Sequence, residues 1–348
     1  MFKIFFMTVL IGSGVVKAQS IEHEVIIPNN VLQIGGTLIA SDSKSPLVIM
    51  LSGSGAQDRD ETILGFKPFK IIADSLIEAG ISTFRLDDRG VGQSTGNLGA
   101  STIDDLTSDV QAIMDYFETS EYGYSEFILL GHSQGGMVAT STAKVDERVT
   151  GVILWAAPTV ELKDVISDQI RAIQLALGKT EADLVSTLEF QEKAYEAVRT
   201  GEGWDSLRTD FKKLIEAELE KLPPAQRAYI NDVDAFANAQ FEAQVRGINS
   251  PNMKSFLFYN SMQDLARTNI PSLAIYGGKD IQVSETLNAS AYEFACDDYG
   301  LDCTLKTFPD ANHLFQKANT GLPDEYGELP KEFVPGFVDT MVEWIKNQ

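Results

Sequence analysis

Residues 127–137, Phe-Ile-Leu-Leu-Gly-His-Ser-Gln-Gly-Gly-Met, constrain this chain more than any other stretch. An apolar run suited to a buried strand passes straight into Gly131-His132-Ser133-Gln134-Gly135-Gly136, and a helical pattern runs from Gln134 to Ala143. A strand that becomes a helix so abruptly needs strained backbone at the bend and neighbours without bulky side chains. Gly131, Gly135 and Gly136 supply that room. A serine on such a bend sits at a helix N-terminus, where the backbone N–H of Gln134 points at any oxyanion formed on an attacked carbonyl. Ser133 is therefore the candidate nucleophile, and Gln134 one candidate oxyanion donor.

A serine hydroxyl is a weak nucleophile at neutral pH and needs a general base within hydrogen-bond reach. The chain has three histidines. His23 lies near the start, and His132 adjoins Ser133, where the bend directs it elsewhere. His313 remains, in Phe308-Pro-Asp-Ala-Asn-His313, a loop just past the last expected strand. The acid that orients this base should follow another strand end, between nucleophile and base. Asp280, in Tyr276-Gly-Gly-Lys-Asp280-Ile-Gln-Val, meets that requirement; Glu161, beyond the preceding strand, is the alternative. Leu51-Ser-Gly-Ser54-Gly-Ala-Gln57 follows an early strand, and its glycines permit close approach to substrate, so the second oxyanion N–H is assigned to Ser54. The charged stretch Arg85 to Ser94 reads as scaffolding near the bend, and its G-x-G lacks the third glycine and the immediate helix of a dinucleotide site.

Strand-like runs at Glu22–Ile27, Val31–Ala40 and Leu47–Leu51 begin the chain's regular structure, the first two divided by Pro28-Asn29-Asn30. Strand and helix then alternate, with strands at Ile81–Leu86, Phe127–Leu130, Val152–Trp155, Leu273–Tyr276 and Thr304–Phe308. Helices are expected at Phe69–Glu78, Ile103–Phe117, Gln134–Ala143, Glu285–Phe294 and Phe333–Ile345, the second capped by Ser101 with Asp104. Such alternation implies an α/β fold with a mostly parallel central sheet flanked by helices. It lapses after Pro158 into about a hundred residues of charge-rich amphipathic helix, with Thr180 and Asp183 marking one helix start and Pro223-Pro224 a break. The expected organisation is a core of 19–159 and 263–348 interrupted by a helical cap at 160–262.

Residues 1–18 carry Lys3, an apolar run from Ile4 to Val16, and Val16-Lys17-Ala18 before Gln19, the pattern of a secretory signal peptide. The run is shorter than the ~20 residues of a bilayer span, so export without stable membrane insertion is expected, to the periplasm or the exterior. Net charge is −22 for the chain. That charge repels phosphate backbones and anionic membranes and excludes nucleic acid as a partner class. Cys296 and Cys303 lie close together in a chain bound for an oxidising compartment; a local disulfide is expected, with two buried thiols as the alternative, since spacing does not fix their Cα separation. No metal-ligand spacing and no cofactor motif is visible, so no cofactor is expected.

With these residues in place the chain resembles the α/β-hydrolase superfamily over essentially its whole length beyond residue 18. G-H-S-Q-G-G, D-D-R-G-V-G-Q-S, G-G-K-D-I-Q-V and A-N-H occur as in that superfamily. Gly53-Ser-Gly-Ala-Gln-Asp-Arg-Asp60 is similar to the G-S-G-P-x-D-R-D segment of a group of bacterial secreted carboxylesterases, relatives of the serine aminopeptidase-like hydrolases, with Ala56 for the usual proline. The resemblance implies the α/β-hydrolase fold and hydrolysis of small-molecule esters with short or medium acyl chains, the insert covering the acyl pocket. Relatives of this kind also include peptidases, thioesterases and acyltransferases, and fold does not decide among them.

Overall fold

The structure, a computed structural model, describes residues 21–42 and 45–348. The expected signal peptide at 1–18 lies outside the described residues. Eight strands among those described form one sheet: β1 Glu22–Asn29, β2 Leu32–Ile39, β3 Leu47–Leu51, β4 Thr83–Leu86, β5 Phe127–His132, β6 Val149–Trp155, β7 Ser272–Gly277 and β8 Cys303–Phe308. Their spatial order is β1-β2-β4-β3-β5-β6-β7-β8. β1, β2 and β4 pair antiparallel, and every pairing from β4 onward through β3 to β8 is parallel.

The parallel strands are apolar on both faces because helices cover both. The pleat sends Leu47, Ile49, Leu129, Val152 and Leu154 to one side, where α2 (Ile103–Thr119) and α3 (Gln134–Val145) complete the core. It sends Val48, Met50, Ile128, Leu130, Ile153 and Trp155 to the other, against α1 (Pro68–Glu78) and the closing helix near the C-terminus. Emptying one such fully buried position, as by Leu129→Ala, is the kind of change that costs about 2–5 kcal/mol.

Between β6 and β7 lie α4 Leu162–Ala176, α5 Glu181–Thr200, α6 Trp204–Lys221, α7 Pro224–Arg227, α8 Val233–Ile248, α9 Pro251–Phe256 and α10 Ser261–Leu265. The middle of this segment has a small core of its own, built on Ala194, Ala197, Leu207, Phe211 and Phe241. Asp183 accepts the Thr180 N–H at the start of α5, and Pro224 opens α7 just after α6 ends. The expected limit at Met262 falls inside α10, which packs against α3 of the sheet layer. The chain closes with α11 Glu285–Tyr299 and α12 Phe337–Lys346. Cys296 near the end of α11 and Cys303 at the start of β8 are joined in a disulfide, with Cα atoms 6.1 Å apart.

Several local expectations need correction. Pro28 and Asn29 belong to β1 and not to the turn, which is Asn30-Val31 with Asn30 at φ +55°; β1 is an edge strand, where a proline sacrifices no inner ladder bond. The α2 capping pair is Thr102 with Asp105, one residue later than expected. Ser101 is engaged elsewhere: its hydroxyl donates to the Asn97 carbonyl and accepts from Arg89. The last helix starts at Phe337, not Phe333, because Pro335 and Gly336 (φ +83°) interrupt it, while Val334 still enters the core.

Candidate active site

Ser133 stands between β5 and α3 with φ +51° and ψ −120°, a conformation that an L-residue holds only where its surroundings enforce it. The enforcement is steric and local. A side chain at Gly131 would place its Cβ 2.3 Å from the Gly136 nitrogen, and one at Gly135 would meet the Leu51 carbonyl oxygen at 2.1 Å. The Ser133 N–H donates to Trp155 O at 2.9 Å, pinning the bend to β6.

Asp280 follows β7 through the Gly277-Gly278 turn. Its Oδ1 accepts the N–H groups of Gln282 at 2.8 Å and Val283 at 3.0 Å, and Oδ2 faces His313 Nδ1 at 2.7 Å. His313 follows β8 on a loop ordered by Asn312, whose Oδ1 accepts the N–H groups of Leu314 and Gln316, both at 3.0 Å. With Nδ1–H donated to Asp280, the lone pair of the neutral ring resides on Nε2, the nitrogen suited to take a proton from a hydroxyl. His313 and Ser133 line the same cleft of about 230 Å³, with Gly53, Ser54, Gln57, Gln282 and Tyr326 among its other walls. Glu161, the alternative acid, precedes α4 and pairs with Lys163.

The two candidate oxyanion donors are Ser54, exposed on the cleft wall, and Gln134, the first residue of α3. The neighbouring Gly53 N–H is committed to Glu61 Oε1 at 2.7 Å, so on this loop the assignment stays with Ser54. Asp88 shapes the loop from beneath by accepting the Ser52 hydroxyl at 2.8 Å and the Gln57 N–H at 2.8 Å. Burial pushes the Asp88 carboxyl up to about 7, the charges of Glu61 and Asp87 adding to the effect against those two donors. Asp87 in turn clamps the Arg59 guanidinium and backbone N–H, and Arg89 forks onto Asp109. The stretch from Arg85 to Ser94 thus ties the loop after β3 to the sheet.

The residue that sequence reasoning passed over is Glu61. Buried at 0% exposure with φ +52°, it joins Gly53 to His132, whose Nδ1 lies 2.8 Å from Glu61 Oε1. His132 lines the same cleft as Ser133 and His313, and its Nε2 meets the backbone carbonyl of His313 at 3.1 Å. An acidic residue closing Asp58-Arg59-Asp60-Glu61 looks like one more surface charge, and no local pattern marks it as buried.

Residues 67–317 match the sequence profile of the family described as serine aminopeptidase, S33. The chain is 26% identical over 244 residues to esterase EstD of Thermotoga maritima, an alignment covering 69% of this chain; it spans about half of that protein, 48% of its length. Among solved structures, an esterase of Pyrococcus furiosus superposes with a TM-score of 0.54 at 14% identity, covering 100% of this chain and 98% of the other. Proline iminopeptidase of Mycobacterium smegmatis gives 0.53 at 16% identity, covering 93% and 98%. These structural likenesses establish the fold, which is that of the α/β-hydrolases.

Proposed function

Because the chain belongs to the serine aminopeptidase S33 family of α/β-hydrolases, we propose that it is an exported serine carboxylesterase that cleaves short- to medium-chain acyl esters through Ser133, His313 and Asp280. The observation that carries this reading is the cleft shared by Ser133 and His313, with His313 Nδ1 held 2.7 Å from Asp280. His313 Nε2 takes the Ser133 proton as Oγ attacks the ester carbonyl, and the N–H groups of Ser54 and Gln134 hold the tetrahedral oxyanion. Collapse breaks the bond to the alcohol oxygen, which leaves with the proton from His313. Water then attacks the acyl-serine, gives its proton to His313, and the acid departs as the proton returns to Ser133. The insertion at 160–262 acts as a cap, tied to the bend where the Gln134 side chain donates to Asn252 Oδ1 on α9 at 3.3 Å.

The test is hydrolysis of p-nitrophenyl acetate and butyrate by wild type, Ser133→Ala and His313→Ala. Each substitution should lower kcat by about 10⁴ or more. Wild-type rates in either variant reject the assignment.

The family description and the likeness to an iminopeptidase favour one second reading, an exported aminopeptidase. A free peptide amine would need an acidic anchor; the acid lining the cleft, Glu61, is fully buried, its Oε1 bonded to His132 and Gly53 and its Oε2 without a hydrogen-bond partner. A panel of aminoacyl p-nitroanilides set against the p-nitrophenyl esters separates the two, since a clear preference for the anilides reverses the order.

A further inference from the structure

Two contacts of the cleft floor join segments that are far apart in the chain. Glu61 Oε1 accepts the Gly53 N–H, and Gly53 is the residue before the Ser54 donor. The same oxygen faces His132 Nδ1, while His132 Nε2 faces the carbonyl of His313. A carbonyl oxygen only accepts, so Nε2 carries a proton. With Glu61 ionised, Oε1 accepts from Nδ1 as it does from Gly53, and the ring then carries its second proton there. The ring packs tilted against both Trp155, centroids 4.1 Å apart, and His313, centroids 4.7 Å apart. The indole face suits a cation.

We propose that Glu61 and His132 form a buried carboxylate–imidazolium pair that positions both working halves of the site, the oxyanion loop through Gly53 and the base loop through the His313 carbonyl. Burial alone would drive the proton off His132. The Glu61 charge and hydrogen bond, the His313 carbonyl and the more distant Asp280 outweigh it and hold the ring above its ordinary value. The charged and titratable groups facing the pair are Asp88 toward Glu61, and Asp280 and the His313 ring toward His132. Gly53 is part of the device, since a Cβ there would sit 3.1 Å from Glu61 Oε1 and 3.3 Å from His132 Nδ1. Glu61 and His132 are positioning residues: they set where the donor and the base stand when the substrate arrives. A loop displaced by even an ångström is expensive in rate, because oxyanion stabilisation and proton transfer both depend on reach.

This inference rests on the Ser133–His313 reading for its kinetic arm alone; its structural arm is independent. In the full protein labelled with ¹⁵N-histidine, resonances assigned through His132→Gln and His313→Gln should show both ring nitrogens of His132 protonated at pH 8, where a free imidazole is neutral. A neutral His132 at that pH overturns the pair. In the kinetic arm, Glu61→Gln keeps an oxygen acceptor for Gly53 and Glu61→Ala does not. Glu61→Ala should lose about 10²-fold in kcat with KM nearly unchanged, and Glu61→Gln should recover part of the loss. Folded variants with kcat within about twofold of wild type overturn the positioning role. Labelling of wild type by a fluorophosphonate, absent in Ser133→Ala, keeps the two ideas apart. Without that labelling the esterase reading fails, and the NMR result still decides whether the pair exists.

Discussion

At Ser133 the fold holds an unfavourable backbone conformation in place with three neighbours that lack side chains, and the proposed nucleophile is only as well placed as its proposed base. Asp280 gives that base its orientation by spending one oxygen on two backbone N–H groups and the other on His313. Asp280→Asn puts an amide where Nδ1–H must donate, which favours the wrong tautomer; kcat toward p-nitrophenyl acetate should fall by roughly 10³–10⁴ with the protein still folded. Asp88 sets a different expectation, one of stability. Its carboxyl titrates at about 7 in the fold against an ordinary 3.8 in the unfolded chain. Across that window the native state holds a proton that the unfolded state has lost, so stability falls as pH rises from about 4 to 7 and this contribution is level above. Asp88→Asn mimics the protonated acid, donating to Ser52 and accepting from Gln57. It should match wild type in thermal unfolding at pH 4 and exceed it at pH 8; an equal offset at both pH values would contradict the assignment.

Among the elements, the junction of β5 with α3 and the two loops after β7 and β8 do the positioning, and each is braced from its own side. The β7 loop is locked by the Asp280 turn, the β8 loop by Asn312, and the loop after β3 by Asp88 and Asp87. The disulfide braces α11 against β8 at the other end of that strand, where Cys303 opens it and Phe308 leads to the His313 loop. The bridged segment is short, so the entropy model gives it about 2 kcal/mol. Replacing both cysteines by serine should therefore lower the denaturation midpoint while leaving kcat unchanged. A loss of activity in a folded double variant would mean that the bridge also governs the base loop.

For the molecule as a whole, one sheet buried on both faces carries the proposed triad at the carboxyl ends of its parallel strands, and a separately cored helical segment is inserted between β6 and β7. No helix among the described residues is long and apolar enough to cross a membrane. The net charge of −22 makes a negative field through which substrate must approach. An ester that carries a carboxylate, such as the p-nitrophenyl half-ester of succinate, should be cleaved faster as salt rises from about 0.01 to 0.5 M, because screening relaxes the repulsion. Neutral p-nitrophenyl acetate should show no such gain in kcat/KM; parallel responses by both esters would show that the field plays no part.

What could be read along the chain was whatever local sterics and strand–helix rhythm impose. Only a sharp bend fits Gly131-His132-Ser133-Gln134-Gly135, alternating apolar strands and amphipathic helices pack only as a covered parallel sheet, and few histidines leave little choice of candidate base. The cap of α2 slipped by one residue, to Thr102, because Ser101 and Thr102 have the same capping chemistry, and the start of the last helix slipped by four, to Phe337, because Pro335 and Gly336 break an apolar pattern that runs through them. Contacts between distant segments had no such signature. Glu61 meets His132 across 71 residues and His132 meets the His313 carbonyl across 181. Pairings of that kind depend on how several loops settle above one sheet, and an acid following Asp60 has the same local text whether it faces water or a buried imidazole.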